Sequence, residues 1–436
     1  MAEEKKENAG QTDHQYKEVP TKTMDQRHRM YLTSCLYLVG FLDLFGVSML
    51  LPLLPHHARQ LGASPMWIGA VGSVYGVLQL FSGPLVGRFS DVFGRRKILL
   101  VCLFMSAVGY TINIFAVSVV ILIFARIPLG IFKHGISTVR AFLAEITPRR
   151  ERPLVFGRFN AISNVGFIIG PLCGGHLAEY NDGFYHVAMC TSAIFFLNLF
   201  FVYILVHHKD SKQNENNTTS KAVISGEVLN GLAEKNFFQS FGEMFKSSGD
   251  LLLVRFLIKF SVMMYYNNFT LILAERFHTT PKVNGWLMSY SALTGALSGL
   301  AVGKIVKFYN DLTRLVRHLS FSLVICLFGL TTSPSLSLIV FWGSVLSLTT
   351  QVLRVCMTDL VIRRGRVNNT GALLGISQSV ASVSRSVSPF LSGVMLEVGP
   401  QAPGAMGVIC AAAAAIVLMT MRHPYKGTGL EKEKDL

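Results

Sequence analysis

The sequence predicts an all-α polytopic membrane protein whose twelve transmembrane helices form two pseudo-symmetric six-helix domains. Of the 436 residues, 51% are hydrophobic and 15% are charged, whereas roughly a quarter of the residues of a soluble protein are charged. The apolar residues come in blocks of about twenty, the length at which a helix crosses a bilayer. The two halves of the chain also share spaced residues. These three observations argue against a soluble fold.

The net charge of +15 is distributed according to membrane topology. Most of the 40 lysines and arginines lie in the two tails and in the loops on the side of the tails. Only Arg59, Arg276 and Lys282 lie in loops on the other side. Because positive residues concentrate in cytoplasmic loops, both termini are predicted to be cytoplasmic. The basic charge therefore indicates topology and not a nucleic-acid partner. The expected location is either the plasma membrane or an internal membrane.

The predicted spans follow one another with a single polar interruption. They cover about residues 31–54, 66–87, 98–117, 119–145, 155–177, 185–206, 251–273, 283–303, 316–333, 336–361, 371–396 and 403–421. This divides the chain into an N-terminal tail (1–29), an N-terminal domain (30–206), a cytoplasmic linker (207–250), a C-terminal domain (251–422) and a C-terminal tail (423–436). The first tail is polar and has no apolar core, so no signal peptide is predicted.

Glycines and prolines recur at similar offsets in the two halves. A shift of 218 residues places Gly157, Pro171 and Gly175 on Gly375, Pro389 and Gly393. A shift of 216 residues places Gly69, Ser82, Gly83, Val86 and Gly87 on Gly285, Ser298, Gly299, Val302 and Gly303. The nearly equal shifts indicate a duplicated six-helix unit. Repeats of this kind carry a substrate site at their interface, near the middle of the membrane.

A charged loop separates the second span from the third. It reads GRFSDVFGRRK from Gly87 to Lys97. Gly94 permits a sharp turn, Asp91 can pair with Arg95, and Glu145 is predicted at the same depth. The loop is therefore either a latch between helices or a solvated loop held inside by its positive charge, since exposed ion pairs contribute only about 0–1 kcal/mol.

Three further stretches carry recognisable patterns. Leu42 and Asp43 precede two prolines at the end of the first span, RIPLG begins at Arg126, and GFIIGPLCGG begins at Gly166. Together with the charged loop, these stretches resemble the helix-1, loop 2–3, helix-4 and helix-5 motifs of the major facilitator superfamily. The last pattern is similar to that of the drug:proton antiporters. The resemblance covers about residues 30–425.

The resemblance implies secondary active transport of a small organic solute by alternating access. It implies a conformational latch that docks against the eleventh span when the cavity opens outward, formed by Gly87, Asp91, Gly94, Arg95, Arg96 and Glu145. It also implies an antiporter motif in the fifth span, formed by Gly166, Gly170, Pro171, Gly174 and Gly175. Generic packing of small residues is the alternative for these glycines, and the repeat copy has Ser384 and Ser388 in place of two of them.

Charged residues inside spans are costly and usually functional. The candidates for substrate binding or proton coupling are Asp43, Arg126, Lys133, His134 and Arg385. The spacing of seven residues predicts that Arg126, Lys133 and Arg140 share one face of the fourth span. Positive charge exceeds negative charge among the deep residues, which predicts an anionic or zwitterionic substrate. The competing account is that Arg126 neutralises Asp43 and that the other cations bind backbone carbonyls.

Proton-coupled antiport is an expectation that the resemblance to the drug:proton antiporters implies. Asp43 is a candidate because desolvation raises the pKa of a carboxyl group, and His134 is a second candidate. The alternative for His134 is a structural hydrogen bond between helices. Closer to the cytoplasmic ends, long side chains can snorkel to the interface or pair at a gate; the residues concerned are Arg140, Arg255, Arg354 and Asp359. Lys259 is a further cation of the seventh span.

The sequence contains no enzyme signature. It has neither a phosphate-binding G-x-x-x-x-G-K-S/T loop nor a metal-spaced cluster, so the expected metal and cofactor set is empty. The seven cysteines lie in apolar runs, which is typical of buried thiols. The predicted partners are a small organic solute, the lipid bilayer and, with coupling, protons; the protein is predicted to be a monomer. The runner-up is a transporter-like receptor, scaffold or lipid-handling protein, and a channel comes third.

Overall fold

The computed structural model describes residues 26–148, 151–210, 234–309, 311–364 and 370–421, and the regular structure of these residues is α-helical throughout. The two predicted tails and much of the predicted linker lie outside the described residues. Eight helices belong to the first half of the chain: α1 Gln26–Leu50, α2 Leu54–Gln60, α3 Pro65–Phe93, α4 Arg95–Ile114, α5 Val119–Phe132, α6 Gly135–Ile146, α7 Arg152–Leu177 and α8 Gly183–Asp210. Seven belong to the second: α9 Glu234–Tyr266, α10 Phe269–Phe277, α11 Pro281–Phe308, α12 Leu312–Thr332, α13 Leu336–Arg364, α14 Thr370–Val398 and α15 Ala402–Thr420.

Two of the predicted spans, the fourth and the seventh, are wrong as single helices, because each consists of two. The first predicted span is a single helix that ends early: α1 stops at Leu50, and the short α2, with a proline in its first turn, begins at Leu54. The fourth breaks at Lys133 and His134. The seventh breaks at Asn267 and Asn268, whose side-chain amides donate hydrogen bonds to serine hydroxyls of α14, at 2.7 and 3.0 Å. These side-chain bonds fix the break in the seventh span to α14.

Eight helical stretches of the described chain are long and apolar enough to cross a membrane. The other four predicted spans correspond to α7, to α9 with α10, to α11 and to α14, which are rich in glycine, serine and charge. Three of these helices, α7, α11 and α14, face the other half of the protein. Small residues there let the backbones approach closely, and polar residues can form hydrogen bonds between helices. Twelve spans are therefore consistent with the helices, and the number remains a prediction.

Each half of the bundle has its own apolar core. Leu99, Leu143 and Phe195 belong to the first core, which gathers residues from α1 to α8. Leu323 and Leu353 belong to the second, which gathers residues from α9 to α15. Only three buried residues of the second half join the first core. Two separate cores allow the halves to move relative to each other without losing their internal packing.

The halves meet through two pairs of helices, α7 with α11 and α3 with α14. We call the face at which α1 begins and α15 ends the terminal face, and the other the opposite face. Near the opposite face, a Cβ atom added to Gly175 would lie 3.2 Å from the Cα of Gly285. One added to Gly393 would lie 3.1 Å from the Cα of Gly69. Only glycine permits this backbone approach.

These two contacts are copies of each other. The repeat offsets relate Gly175 to Gly393 and Gly69 to Gly285, so the pair on α7 and α11 becomes the pair on α14 and α3. The same exchange holds for the prolines that flank these glycines. The duplication predicted from the sequence therefore appears in space as a two-fold symmetric closure of the opposite face.

Polar links accompany the glycine contacts. Lys282 pairs with Glu179 at 3.2 Å, and the backbone N–H of Met66 donates to Glu397 at 3.3 Å. Glu179 and Glu397 are themselves related by the offset of 218. Arg59 lies 3.6 Å from Glu275, and these two residues are related by the offset of 216, so their ion pair lies across the pseudo-two-fold axis.

The terminal face is open between the halves. Gly87 on α3 and Gly303 on α11 have no atom within contact distance of an added Cβ. Every hydrogen bond and ion pair between the halves, among the described residues, lies toward the opposite face. The closure reaches Gly76, whose added Cβ would lie 2.9 Å from the Cα of Ser386. Gly76 is about 16 Å along α3 from Pro65, so the cavity ends near the middle of the bundle.

Candidate functional site

A buried ion pair lies at the break in the fourth span. Lys133 Nζ is 2.5 Å from Asp43 Oδ1, and both side chains are less than a tenth exposed. The ammonium also lies over the Phe195 ring, 4.4 Å from its centroid, which adds a cation–π interaction. A Cβ added to Gly135 would lie 3.0 Å from Asp43 Oδ1. The carboxylate therefore also benefits from the positive end of α6.

The pairing differs from the competing account given by the sequence, in which Arg126 neutralises Asp43. Lys133 takes that role because the helix break turns it toward α1. For the same reason, the prediction that Arg126, Lys133 and Arg140 share one helical face is wrong. A spacing of seven residues requires a continuous helix, whereas α5 ends at Phe132 and α6 begins at Gly135. Arg140 instead donates to Asn160 on α7, at 2.8 Å.

His134 is held against α3. Its Nε2 lies 2.9 Å from Ser82 Oγ, and this hydroxyl donates its proton to the carbonyl of Gly130, at 3.1 Å. When the single hydroxyl proton of Ser82 is donated to the Gly130 carbonyl, His134 Nε2 donates to the Ser82 oxygen. The arrangement matches the structural alternative for His134, a hydrogen bond that fixes the broken span to its neighbour.

Arg126 is buried without a partner. Its side chain is 8% exposed, and its Nε and Nη2 atoms have no hydrogen-bond partner among the described residues. The hydroxyls of Tyr75 and Tyr110 are within electrostatic reach of the guanidinium. A buried cation normally has an anionic partner, because an uncompensated charge in a low-dielectric site is costly. Arg126 therefore has donors available for an anion.

Two neutral residues of α3 join this site and were missed from the sequence. Gln79 donates to the Tyr75 hydroxyl at 3.0 Å and to the carbonyl of Lys133 at 3.3 Å. Tyr75 is within electrostatic reach of Arg126 and Asp43 in the first half and of Arg385 in the second. It lies one residue before Gly76, at the closed end of the cavity. Neither residue is charged, so charge inside a span does not identify them.

Arg385 lies on α14 beside the closure. The neighbouring Ser386 packs against Gly76, and Ser384 packs toward α9. Arg385 itself is exposed, and its guanidinium donates to Ser382 at 2.8 Å. Because the buried faces of α14 contact α3 and α9, the exposed Arg385 faces the space between the halves. The structure thus brings Arg385 to the same cavity end as Tyr75.

The charged loop between α3 and α4 is anchored within the first half. Arg95 pairs with Asp91 and lies 3.9 Å from Glu145. Arg96 lies over the Phe142 ring of α6, 5.3 Å from its centroid. Gly94 has a φ of +92°, a conformation that residues with a side chain rarely adopt. The contacts described for this loop all lie within the first half.

The glycine stripe of the fifth span packs α7 against α1. Cβ atoms added to Gly166, Gly170 or Gly174 would meet the α1 backbone, for example the Phe45 carbonyl at 2.7 Å from Gly170. Gly175 alone turns to α11, where the Pro171 carbonyl contacts Gly285. The stripe therefore stabilises the first half, and its end contributes to the closure. Pro171 lies inside α7 without breaking it.

No group of histidine, cysteine or acidic residues in the described part of the chain could hold a metal ion. Lys133 already neutralises Asp43. The residues that come together are therefore mostly cationic and come from both halves, with Arg126 of the first half and Arg385 of the second both within electrostatic reach of Tyr75.

Comparison with known proteins places these features in a family. The sequence profile of the Major Facilitator Superfamily matches residues 36–389, and again 251–435. The quinolone resistance protein NorA of Staphylococcus aureus is 23% identical over 407 residues, covering 90% of this chain and 97% of NorA. Solute carrier family 22 member 18 of Mus musculus is 27% identical over 377 residues, covering 82% of this chain and 88% of its own.

Solved structures share the fold. The human organic anion transporter MFSD10 (TETRAN) matches with a TM-score of 0.60 at 20% identity, covering 89% of this chain and 99% of its own. A bacterial homolog to the human lysosomal transporter Spinster, solved in an inward-facing and occupied conformation, matches with a TM-score of 0.70 at 13% identity. This match covers 91% of this chain and 97% of the homolog.

Proposed function

The chain belongs to the major facilitator superfamily, and on that premise we propose that it is a secondary active transporter that moves a small organic anion by alternating access. It is an integral membrane protein with apolar membrane-crossing helices. Family and fold support a transporter rather than an enzyme. In the proposal, the moving bodies are the six-helix domains 30–206 and 251–422, joined by the linker 207–250.

The one-sided closure supports alternating access. The halves touch at the opposite face through two symmetric glycine contacts and are apart at the terminal face. Rocking about the closed end would exchange which face is open while the charged residues keep their depth. We assign the terminal face to the cytoplasm because of the distribution of basic residues, so this conformation faces the cytoplasm. We propose a monomer, since each chain contains both halves of the cavity.

Arg126 is the observation that carries the anionic substrate. Its buried Nε and Nη2 atoms have no partner among the described residues, whereas Lys133 is already neutralised by Asp43. A substrate carboxylate or phosphate could accept both hydrogen bonds of the guanidinium in parallel. The structural neighbour MFSD10 is described as an organic anion transporter, but a likeness at this identity supports the fold alone. The proposal therefore rests on the charges of this chain.

The ion pair of Asp43 and Lys133 provides a route for proton coupling. Protonation of Asp43 would remove the partner of Lys133 and leave a buried ammonium that attracts an anion. Loss of the proton would restore the pair and favour release of the anion. A proton and an anion would then bind together, so this route couples them in the same direction, whereas the resemblance to drug:proton antiporters implies exchange. Transport that does not respond to an imposed pH gradient would contradict this part of the proposal.

The test is counterflow in proteoliposomes that contain the purified full chain. A panel of radiolabelled organic anions and cations is screened, and saturable, trans-stimulated uptake of an anion is expected. Arg126→Gln should lower the apparent affinity for that anion by about tenfold or more, as for loss of a hydrogen bond to a charged group. The control, Arg314→Gln, removes an exposed arginine and should change little. Absence of flux for every solute would refute transport, and unchanged affinity in Arg126→Gln would refute the role of Arg126.

A further inference from the structure

Four cations line the wall of the cavity formed by the second half. Arg255 and Lys259 lie on α9, Arg354 on α13 and Arg385 on α14. The three arginines make hydrogen bonds to neutral groups: Arg255 to Thr358 at 3.2 Å, Arg354 to Gln351 at 2.5 Å, and Arg385 to Ser382 at 2.8 Å. None of the four pairs with a carboxylate of the described chain.

Lys259 is the centre of this basic cluster, one turn from Arg255 on α9. Arg255 donates to Thr358, one turn from Arg354 on α13, and Ser384, the neighbour of Arg385, donates to the Phe256 carbonyl of α9. The Lys259 ammonium is within electrostatic reach of the three arginines, and Arg385 is within reach of Tyr75. Like charges this close repel each other, so an anion bound among them would be stabilised.

The repeat offsets show that this basic cluster has no counterpart in the first half. The offset of 216 relates Lys259 to Asp43, and the same offset relates the end of α1 at Leu50 to the end of α9 at Tyr266. The first half thus has an acid where the second half has a base. The acid neutralises a lysine of the fourth span, whereas Lys259 adds a charge to three arginines. The second half has lost its internal neutralisation at the equivalent depth.

We propose that the Lys259-centred cluster is a second anion subsite, and that the substrate is an organic anion with at least two negative groups. One group binds Arg126 in the first half, and another binds Lys259 with Arg385 in the second. A substrate of this kind bridges both halves, so it would draw them together as the cavity closes. This inference rests on the proposed anion transport and narrows its substrate to multivalent anions.

The experiment compares isosteric anions that differ in charge. Binding to the purified full chain in detergent is measured at fixed ionic strength, because salt screens such contacts. The probe pair is succinate, which has two carboxylates, against succinamate, which has one. The dianion should bind about tenfold or more tightly, as expected for an added charge-assisted hydrogen bond. Lys259→Gln should abolish this preference and leave the monoanion within about threefold.

Lys304→Gln is the matched control, since Lys304 is exposed on α11 and lies outside the cluster. It removes the same charge and should keep the preference for the dianion. Equal binding of dianions and monoanions, with Lys259→Gln weakening both alike, would overturn the inference and leave anion transport intact. Binding of neither class, together with absent counterflow, would refute the proposed function itself.

A lipid headgroup is the other source of the same chemistry. The measurements are therefore repeated after delipidation and after addition of phosphatidylglycerol. Retained preference for the soluble dianion in the delipidated protein is the expected result. Tight retention of phosphatidylglycerol that depends on Lys259, without any preference among the soluble anions, would assign the cluster to lipid and overturn the inference.

Discussion

Gly285→Ala should shift the protein toward the conformation that is open at the opposite face. The added Cβ would collide with the carbonyl of Pro171 and lie 3.1 Å from the Cα of Gly175. Both neighbours are backbone atoms of α7, so neither can turn away as a side chain would. Overpacking of this kind costs about 1–3 kcal/mol. The cost applies only while α7 and α11 touch, so the equilibrium should shift about 5- to 150-fold.

Accessibility of a buried position measures this shift. Ser289 is one helical turn beyond Gly285 on α11 and is buried in the present conformation. Ser289→Cys is introduced into a chain whose seven native cysteines are replaced, and labelling by a membrane-impermeant maleimide is followed from the opposite face. Gly285→Ala should accelerate labelling, and the repeat-related Gly69→Ala should do the same, because its Cβ would collide with Pro389.

Gly303→Ala provides the matched control. It adds the same methyl group to the same helix, where no atom lies within contact distance, so labelling should stay unchanged. A melting midpoint within a few degrees of the parent shows that each variant is folded. Equal acceleration by Gly303→Ala and Gly285→Ala would refute the reasoning, since helix propensity and not the closure would then account for it.

Two further predictions concern charged residues. Asp43→Asn leaves Lys133 buried without a partner and should destabilise the fold by about 3–5 kcal/mol, seen as a lower Tm; the double variant with Lys133→Gln should recover most of the loss, and additive losses would contradict the pairing. Asp91→Asn should impair transport far more than Asp311→Asn, because Asp311 caps α12 through the N–H groups of Thr313 and Arg314, its ion pair with Arg314 is exposed, and asparagine is an equally good cap. Equal effects on counterflow would mean that the charged loop acts only as a topological anchor.

The helical fold and the repeat could be predicted from local patterns. Apolar blocks predict helices of spanning length, and the matching offsets selected Gly69, Gly175, Gly285 and Gly393 before any contact was known. These four residues form the symmetric closure because close packing of backbones needs glycine in both copies. The charged loop was recognisable for a similar reason, since the turn at Gly94 requires a residue without a side chain.

The partners of the buried charges could not be predicted in the same way. The spacing of seven residues places side chains on one face only if the fourth span is a straight helix. The break at Lys133 and His134 redirects both side chains. The nearest proline, Pro128, lies inside α5 and gave no sign of the position of the break. Tyr75 and Gln79 reach the site as neutral residues of a helix whose facing depends on the other half. Their roles follow from tertiary packing, which a single sequence does not specify.

The duplication has left the closure symmetric and the chemistry asymmetric. The contacts that close the opposite face obey the two-fold exchange, down to the ion pair of Arg59 and Glu275, whose own positions are repeat-related. The deep charges do not obey it, because Asp43 in one half corresponds to Lys259 in the other. The exchange maps the opposite face onto itself, so it makes the two contacts of this closure equivalent to each other. Under the proposed function, the inverted charge at equivalent depth lets a proton control one wall of the cavity and an anion neutralise the other, and we expect both to be bound before the halves close around the site.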